Sequence, residues 1–245
     1  MDYFDIYAAL IFLGTIIILT ALSLIGREMA KRNKVNKEDA LLNLILNTVL
    51  SFLALLLGFC MSIAISGFDE SQAAERNEAL AIQSAYMYAD LLGEKTPSAQ
   101  NMIKEYLDLR IQYYKDGDST INEHSQQQQM LLWQIVAEEL NKHNPAPINS
   151  TLDAINHMMT TQKIAVSLWG NTVPILAWFI IYFLAGIACV ILGCNIKIHR
   201  HILAYCIFPI ILSTAFFIIQ QIDSPGKSLV KVSTKDLINL AQEIK

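Results

Sequence analysis

The chain has 245 residues, a formal net charge of −4 and 53% apolar or aromatic residues, but only 16% charged ones, where soluble domains carry about 25%. This balance excludes a disordered chain, a basic nucleic-acid binder and a soluble globular enzyme. The apolar residues fall in four blocks, two near each end, around a polar middle, which is the layout of an integral membrane protein.

The first block, Tyr7 to Gly26, supplies the roughly 20 apolar residues that a membrane-spanning helix needs. Its leader, MDYFDIY, carries two Asp and no Lys or Arg, so it lacks the basic start of a signal peptide and reads as a retained helix. The second span, 41–66, has no charged residue. The third covers about 171–193 and the fourth about 201–222. The loop between these two, with its basic turn His199-Arg200-His201, is short enough to make them an antiparallel pair. The chain thus divides into a first transmembrane pair (1–66), a helical extramembrane domain (67–170), a second transmembrane pair (171–222) and a C-terminal tail (223–245).

Orientation follows Lys and Arg in the short loops. Arg27, Lys31, Arg32, Lys34 and Lys37 follow the first span, and Lys197 and Arg200 lie between the last two. The middle segment, 67–163, holds seven basic and 14 acidic residues, a net charge of −7. The charge count therefore puts both short loops in the cytoplasm and places both termini and the middle domain outside an inner (plasma) membrane, with Lys227, Lys231, Lys235 and Lys245 of the tail running against the rule.

The middle domain reads as helices throughout, so the fold class is all-α. An Ala79, Ile82, Tyr86, Ala89 stripe runs at helical spacing and stops at Gly93. Thr96-Pro97 offers an N-cap and a first-turn proline for the next helix, whose apolar face holds Met102, Ile103, Tyr106, Leu107, Ile111 and Tyr114. Asp116-Gly117-Asp118 breaks the chain, as a C-cap Gly followed by an N-cap Asp. A third helix covers about 122–142, with Leu132, Ile135, Val136 and Leu140 on one side, and Asn144-Pro145-Ala146-Pro147 forms a loop. Ser150 and Asp153 suit a capping box for a fourth helix, which can run on into the third span through Trp169.

Catalytic motifs are absent: there is no GxSxG, HExxH, P-loop or GxGxxG. The five His residues and the four Cys (Cys60, Cys189, Cys194, Cys206) have no metal-ligand spacing, and the Cys read as small apolar filler in the spans. No catalytic, metal or cofactor site is expected.

The second span is the informative one. At 100° per residue, Asn43, Asn47, Ser51, Ala54, Gly58 and Ser62 all fall on one face about 100° wide. Such a face lets another helix approach closely, with Asn and Ser bonding across the contact. It also suits a water-filled path, where neutral donors and small side chains leave room for a partly hydrated ion. By geometry alone the packing use is the commoner. Ala185, Cys189 and Gly193 repeat at four-residue spacing on the third span and read as a helix-packing face. No Asp, Glu, Lys, Arg or His lies well inside a span, which disfavours a proton- or sodium-coupled transporter.

Several segments together resemble the bacterial bestrophin-like domain family. They are Glu78-Ala79-Leu80-Ala81-Ile82 with Tyr86 and Ala89-Asp90-Leu91-Leu92, then Tyr106 and Arg110, Val173-Pro174 with Trp178, and Ile222-Asp223, Pro225-Gly226 and Val232-Ser233. The resemblance covers about residues 40–245. It implies a four-span subunit and kinship with bestrophins, which are homo-oligomeric, mainly chloride-conducting channels whose second span lines the pore. It therefore favours the pore use of the Asn43–Ser62 face. It also implies a cytoplasmic helical domain, opposite to the charge count, while the acidic domain would repel anions at a pore mouth. The expected function is a homo-oligomeric channel for small inorganic ions, chloride foremost, with itself and the lipid bilayer as partners and no nucleic acid. The alternative is a non-conducting scaffold or sensor whose helical domain binds a partner, which requires the polar face to be packed by the subunit's own spans.

Overall fold

The computed structural model describes residues 3–32, 40–139, 145–170, 173–195, 202–224 and 230–244. The protein is all-α, and no strand occurs among the described residues. In chain order the helices are α1 (Tyr3–Arg32), α2 (Ala40–Ala89), a 3-10 segment (Asp90–Lys95), α3 (Thr96–Asp116), α4 (Ser119–Glu139), α5 (Pro145–Leu168), α6 (Ile175–Asn195), α7 (Ile202–Asp223) and α8 (Lys235–Glu243). Four stretches are long and apolar enough to cross a membrane. Much of the charge pattern of the short loops lies outside the described residues, namely Lys34, Lys37, Lys197 and the His199-Arg200-His201 turn, as do Asn144, Pro225, Gly226, Lys227 and Lys245.

The chain forms two compact units, one of Met1–Ser66 with Thr172–Asp223 and one of Gly67–Asn171 with Ser224–Lys245. The first is the membrane unit. Its core gathers Leu19 of α1, Leu53, Cys60 and Ala64 of α2, Ile181, Ala185 and Cys189 of α6, and Leu212, Phe216 and Ile219 of α7. The tightest crossing is between α1 and α6. A Cβ on Gly26 would collide with the backbone of Val190, and one on Gly193 with the backbone of Ser23 and Arg27. Ala185, Ala188 and Cys189 continue that contact, fully buried. The small residues of the third span thus serve helix packing, as expected, because lipid offers no hydrophobic drive and close backbone approach must supply the attraction. Leu10, Ile17 and Ile18 of α1 and Ile175, Leu176, Phe179 and Phe183 of α6 point outward. Large apolar side chains on the outside are what a hydrocarbon solvent permits.

The second is the helical unit. Its core joins Ala79, Ile82 and Ala85 of α2, Ile103, Tyr106 and Leu107 of α3, Leu132 and Val136 of α4, Ile155 and Met158 of α5, and Leu237 and Leu240 of α8. Gly93 breaks the helix at φ 61° and ψ −116°, where a side chain would be strained. Gly117 caps α3 at φ 67°, its N–H donating to the Tyr113 carbonyl, and Asp118 then accepts the Thr120 N–H at 2.9 Å. Both breaks are as the sequence predicts.

Other local expectations need correction. Lys95, not Thr96, is the N-cap of α3, while the Thr96 hydroxyl turns back to donate to the Ala89 carbonyl at 3.0 Å. The Pro145–Pro147 stretch is the first turn of α5 rather than a loop, since a proline costs little where the N–H has no intrahelical partner. Ser150 and Asp153 therefore lie inside α5 and form no capping box. α5 does not run on into the third span: it ends at Leu168, residues 169–170 turn, and α6 begins at Ile175. Within the C-terminal tail, α8 folds as part of the helical unit.

Candidate functional site

The second span is built with two distinct sides. Leu46, Leu53 and Cys60, seven residues apart, and Ala64 are its buried positions in the membrane unit. On the wheel that places Asn43 at 0°, this seam lies at about 260–300° and the polar face at about 0–100°. Asn43, Asn47, Ser51, Ala54, Gly58 and Ser62 are accordingly all exposed in the single chain. A Cβ on Gly58 would meet nothing within 4 Å, so this glycine answers no packing need inside the subunit. Beside the polar face, Leu44, Phe52, Leu55 and Phe59 are exposed as well. An open hollow of about 470 Å³ is lined by Asn47, Thr48, Ser51, Phe52 and Leu55. The Thr48 hydroxyl donates to the Leu44 carbonyl at 2.9 Å, the usual way for a hydroxyl to satisfy itself on a helix in lipid. The polar face holds no charge and no nucleophile with a base. It can offer amide and hydroxyl dipoles to a passing ion or to a neighbouring helix.

The helical unit holds the densest polar cluster. Arg110 and Glu78 are both wholly buried and pair through two bonds, Nε to Oε1 and Nη2 to Oε2, the latter at 3.2 Å. The Tyr106 and Tyr114 hydroxyls donate to the same carboxylate at 3.1 and 3.0 Å. The third side of the guanidinium donates from Nη1 to Asn122 Oδ1 at 3.1 Å, and Gln162 Nε2 donates to Asn122 Oδ1 at 2.9 Å and to Ser125 Oγ at 2.7 Å. Arg110 lies over the Tyr113 ring at 4.5 Å, and Trp169 stacks on the Tyr113 ring with centroids 4.7 Å apart. Burial and the charge of Glu78 hold the Tyr106 and Tyr114 phenols above their ordinary range, so both remain donors. Burial alone would lower the Arg110 guanidinium, but Glu78 outweighs it and keeps the charge in place. The cluster thus joins α2, α3, α4 and α5, with the Gln162 Oε1 atom buried and unpartnered at its edge among the described residues.

Segments far apart in the sequence thus resolve into contact sets. Glu78, Tyr106 and Arg110 form the buried pair and its phenol donor. Val173 meets Asp223, whose carboxylate accepts the Val173 N–H at 2.8 Å. Ser233 exchanges two hydrogen bonds with Gln72. Sequence reading places Glu78, Tyr106 and Arg110 in motifs but misses Tyr114, Asn122 and Gln162 as their polar partners. Tyr114 sits four residues after Arg110 and eight after Tyr106, a helical spacing that points all three to one face. Nothing in the local pattern marks Asn122 or Gln162. Among the described residues no group of three or more His, Cys, Asp or Glu could hold a metal ion, and all four cysteines are free thiols.

Against known proteins, the sequence model of the family described as "Bestrophin-like domain" matches residues 9–237. No curated protein matches the chain. A crystal structure of a bacterial bestrophin homolog from Klebsiella pneumoniae is similar over 96% of this chain and 96% of its own, with a TM-score of 0.67 at 10% identity. Two single-residue variants of a Klebsiella pneumoniae bestrophin homolog reach TM-scores of 0.71 and 0.68 at 11% and 12% identity, covering 95% and 97% of this chain and 97% of theirs. At such identities the likeness is one of fold.

Proposed function

The chain belongs to the bestrophin-like domain family, and from that premise we propose that it is the subunit of a homo-oligomeric membrane ion channel that passes small anions such as chloride. In this reading α2 lines the pore with Asn43, Asn47, Ser51, Ala54, Gly58 and Ser62. One observation carries it: this face of α2 is exposed in the subunit, turned away from the seam that packs on α1, α6 and α7. A scaffold would bury its polar face against its own spans, because amides and hydroxyls left in hydrocarbon are costly. A face about 100° wide cannot enclose a path by itself. Several copies around an axis can, and the apolar Leu44, Phe52, Leu55 and Phe59 beside it then meet lipid or the next subunit.

The test is ionic current through the purified protein in liposomes under opposed chloride and potassium gradients. A current that reverses at the chloride potential is expected. Reversal at the potassium potential keeps the pore and overturns the anion assignment. No current from a folded oligomeric sample overturns the channel and leaves the scaffold or sensor.

The same proposal includes an orientation in the inner membrane. The basic residues after α1 and before α7 lie in the cytoplasm, and both termini and the acidic helical unit lie outside. A thiol introduced at exposed Gln127 in α4 is then expected to react with an impermeant reagent on intact cells. Protection until the membrane is broken reverses the orientation.

A further inference from the structure

The C-terminal helix α8 sits in the helical unit by a small apolar face, Leu237 and Leu240, with Val232 ahead of it. Most of its polar ties are exposed. Gln72 trades two bonds with Ser233 at 2.9 and 3.3 Å, Lys231 Nζ donates to the Lys115 carbonyl at 2.9 Å, and Gln83 Nε2 donates to Glu243 at 3.3 Å. One tie is different. The Leu237 N–H, in the first turn of α8, donates at 3.0 Å to Glu75 Oε1, and the Glu75 side chain is wholly buried. Glu75 Oε2 is buried and has no hydrogen-bond partner. Asp236 stands next to Leu237 in the same first turn of α8, and its negative charge acts on Glu75.

Two neighbouring carboxylates cannot both ionise cheaply, least of all when one is out of water. Asp236 has a cation, Arg76, at 3.6 Å, and among the described residues Glu75 has none of its own. The shared proton therefore belongs on Glu75, where it turns the unpartnered oxygen into a donor toward Asp236. The other charged or titratable groups near Glu75 do not replace it. Tyr114 of α3 already donates to Glu78, and Glu78 on α2 is neutralised by Arg110 of α3.

We propose that Glu75 and Asp236 form a proton-operated latch, which fastens α8 to the helical unit while they share a proton and loosens it once both are ionised. Burial raises the Glu75 carboxyl, the Leu237 N–H opposes that, and Asp236 reinforces it, leaving the group at about 7. A carboxyl raised in the docked state binds its proton more tightly there than in the released state. Docking is therefore strongest below the ordinary range near 4.5, weakens as pH rises from there to about 7, and stays weak above it. The latch works whether or not the protein conducts.

The test is hydrogen exchange of the full-length protein in detergent, comparing wild type with Glu75→Gln at the same pH so that intrinsic rates cancel. The wild-type rate at amides 238–241 relative to the variant is expected to rise roughly 100-fold between pH 5 and pH 8. A ratio that stays constant overturns the latch. Amides 103–107 of α3 report whether the variant keeps its fold. Should they change, Asp236→Asn decides, since it removes the second carboxylate from a half-buried position without emptying the core. It is expected to reduce the pH-driven rise, and a rise equal to that of wild type overturns the latch.

Discussion

Replacing Arg110 by Met alone is expected to destabilise the helical unit by about 3–5 kcal/mol, because it strands a buried carboxylate. Glu78 would keep only the Tyr106 and Tyr114 hydroxyls, and Asn122 would lose the Nη1 donor that it accepts from. Glu78→Leu alone is expected to cost a similar amount, now by stranding the guanidinium among Tyr113, Tyr114 and Asn122. The double variant Glu78→Leu/Arg110→Met is expected to recover most of the loss, since neither charge then remains unpaired. Denaturant or thermal unfolding of the detergent-solubilised protein measures all three. A single-variant loss below about 1 kcal/mol would put the pair in the class of solvent-screened surface bridges and contradict its burial. Additive single losses in the double variant would mean that the two side chains act on different neighbours.

Asn47→Leu and Ser51→Leu are each expected to lower unitary conductance by about tenfold while leaving the oligomer intact. Both residues line the open hollow on α2 and both are exposed in the subunit, so neither change disturbs a packed contact within it. An ion that sheds water in a narrow path needs donors in return. One lost hydrogen bond is worth about 1–1.5 kcal/mol, and that barrier corresponds to roughly tenfold in rate. Leu53→Asn is the contrasting variant, because Leu53 is 1% exposed on the opposite seam and its replacement should lower subunit stability. Single-channel recording with size-exclusion analysis separates these outcomes. Unchanged conductance in both the Asn47 and Ser51 variants would remove α2 from the pore.

What could be read locally came through, and the misses share one cause. Runs of about 20 apolar residues mark all four spans, and Gly93 and Gly117 mark the breaks around α3, because length and φ preference are properties of a segment. Leu237, Leu240, Ala241 and Ile244 carry the helical spacing of α8, a signal present in the sequence but short, at the end of a segment rich in turn residues. The α5 start fails as a sequence reading because Pro145 and Pro147 suit both a loop and a first helical turn. Composition and spacing thus determined the all-α class, the four spans and the existence of a one-sided polar face on the second.

Which side of that face meets the subunit was a tertiary matter. A wheel shows that Asn43 to Ser62 share a side, but only the packing of Leu53, Cys60 and Ala64 against α1, α6 and α7 turns that side outward. The buried Glu78–Arg110 pair spans 32 residues, and the Glu75–Leu237 tie spans 162. Neither follows from local pattern, because a charge in the sequence looks the same whether it faces water or a partner. Burial decides between the two, and burial exists only once distant helices have packed.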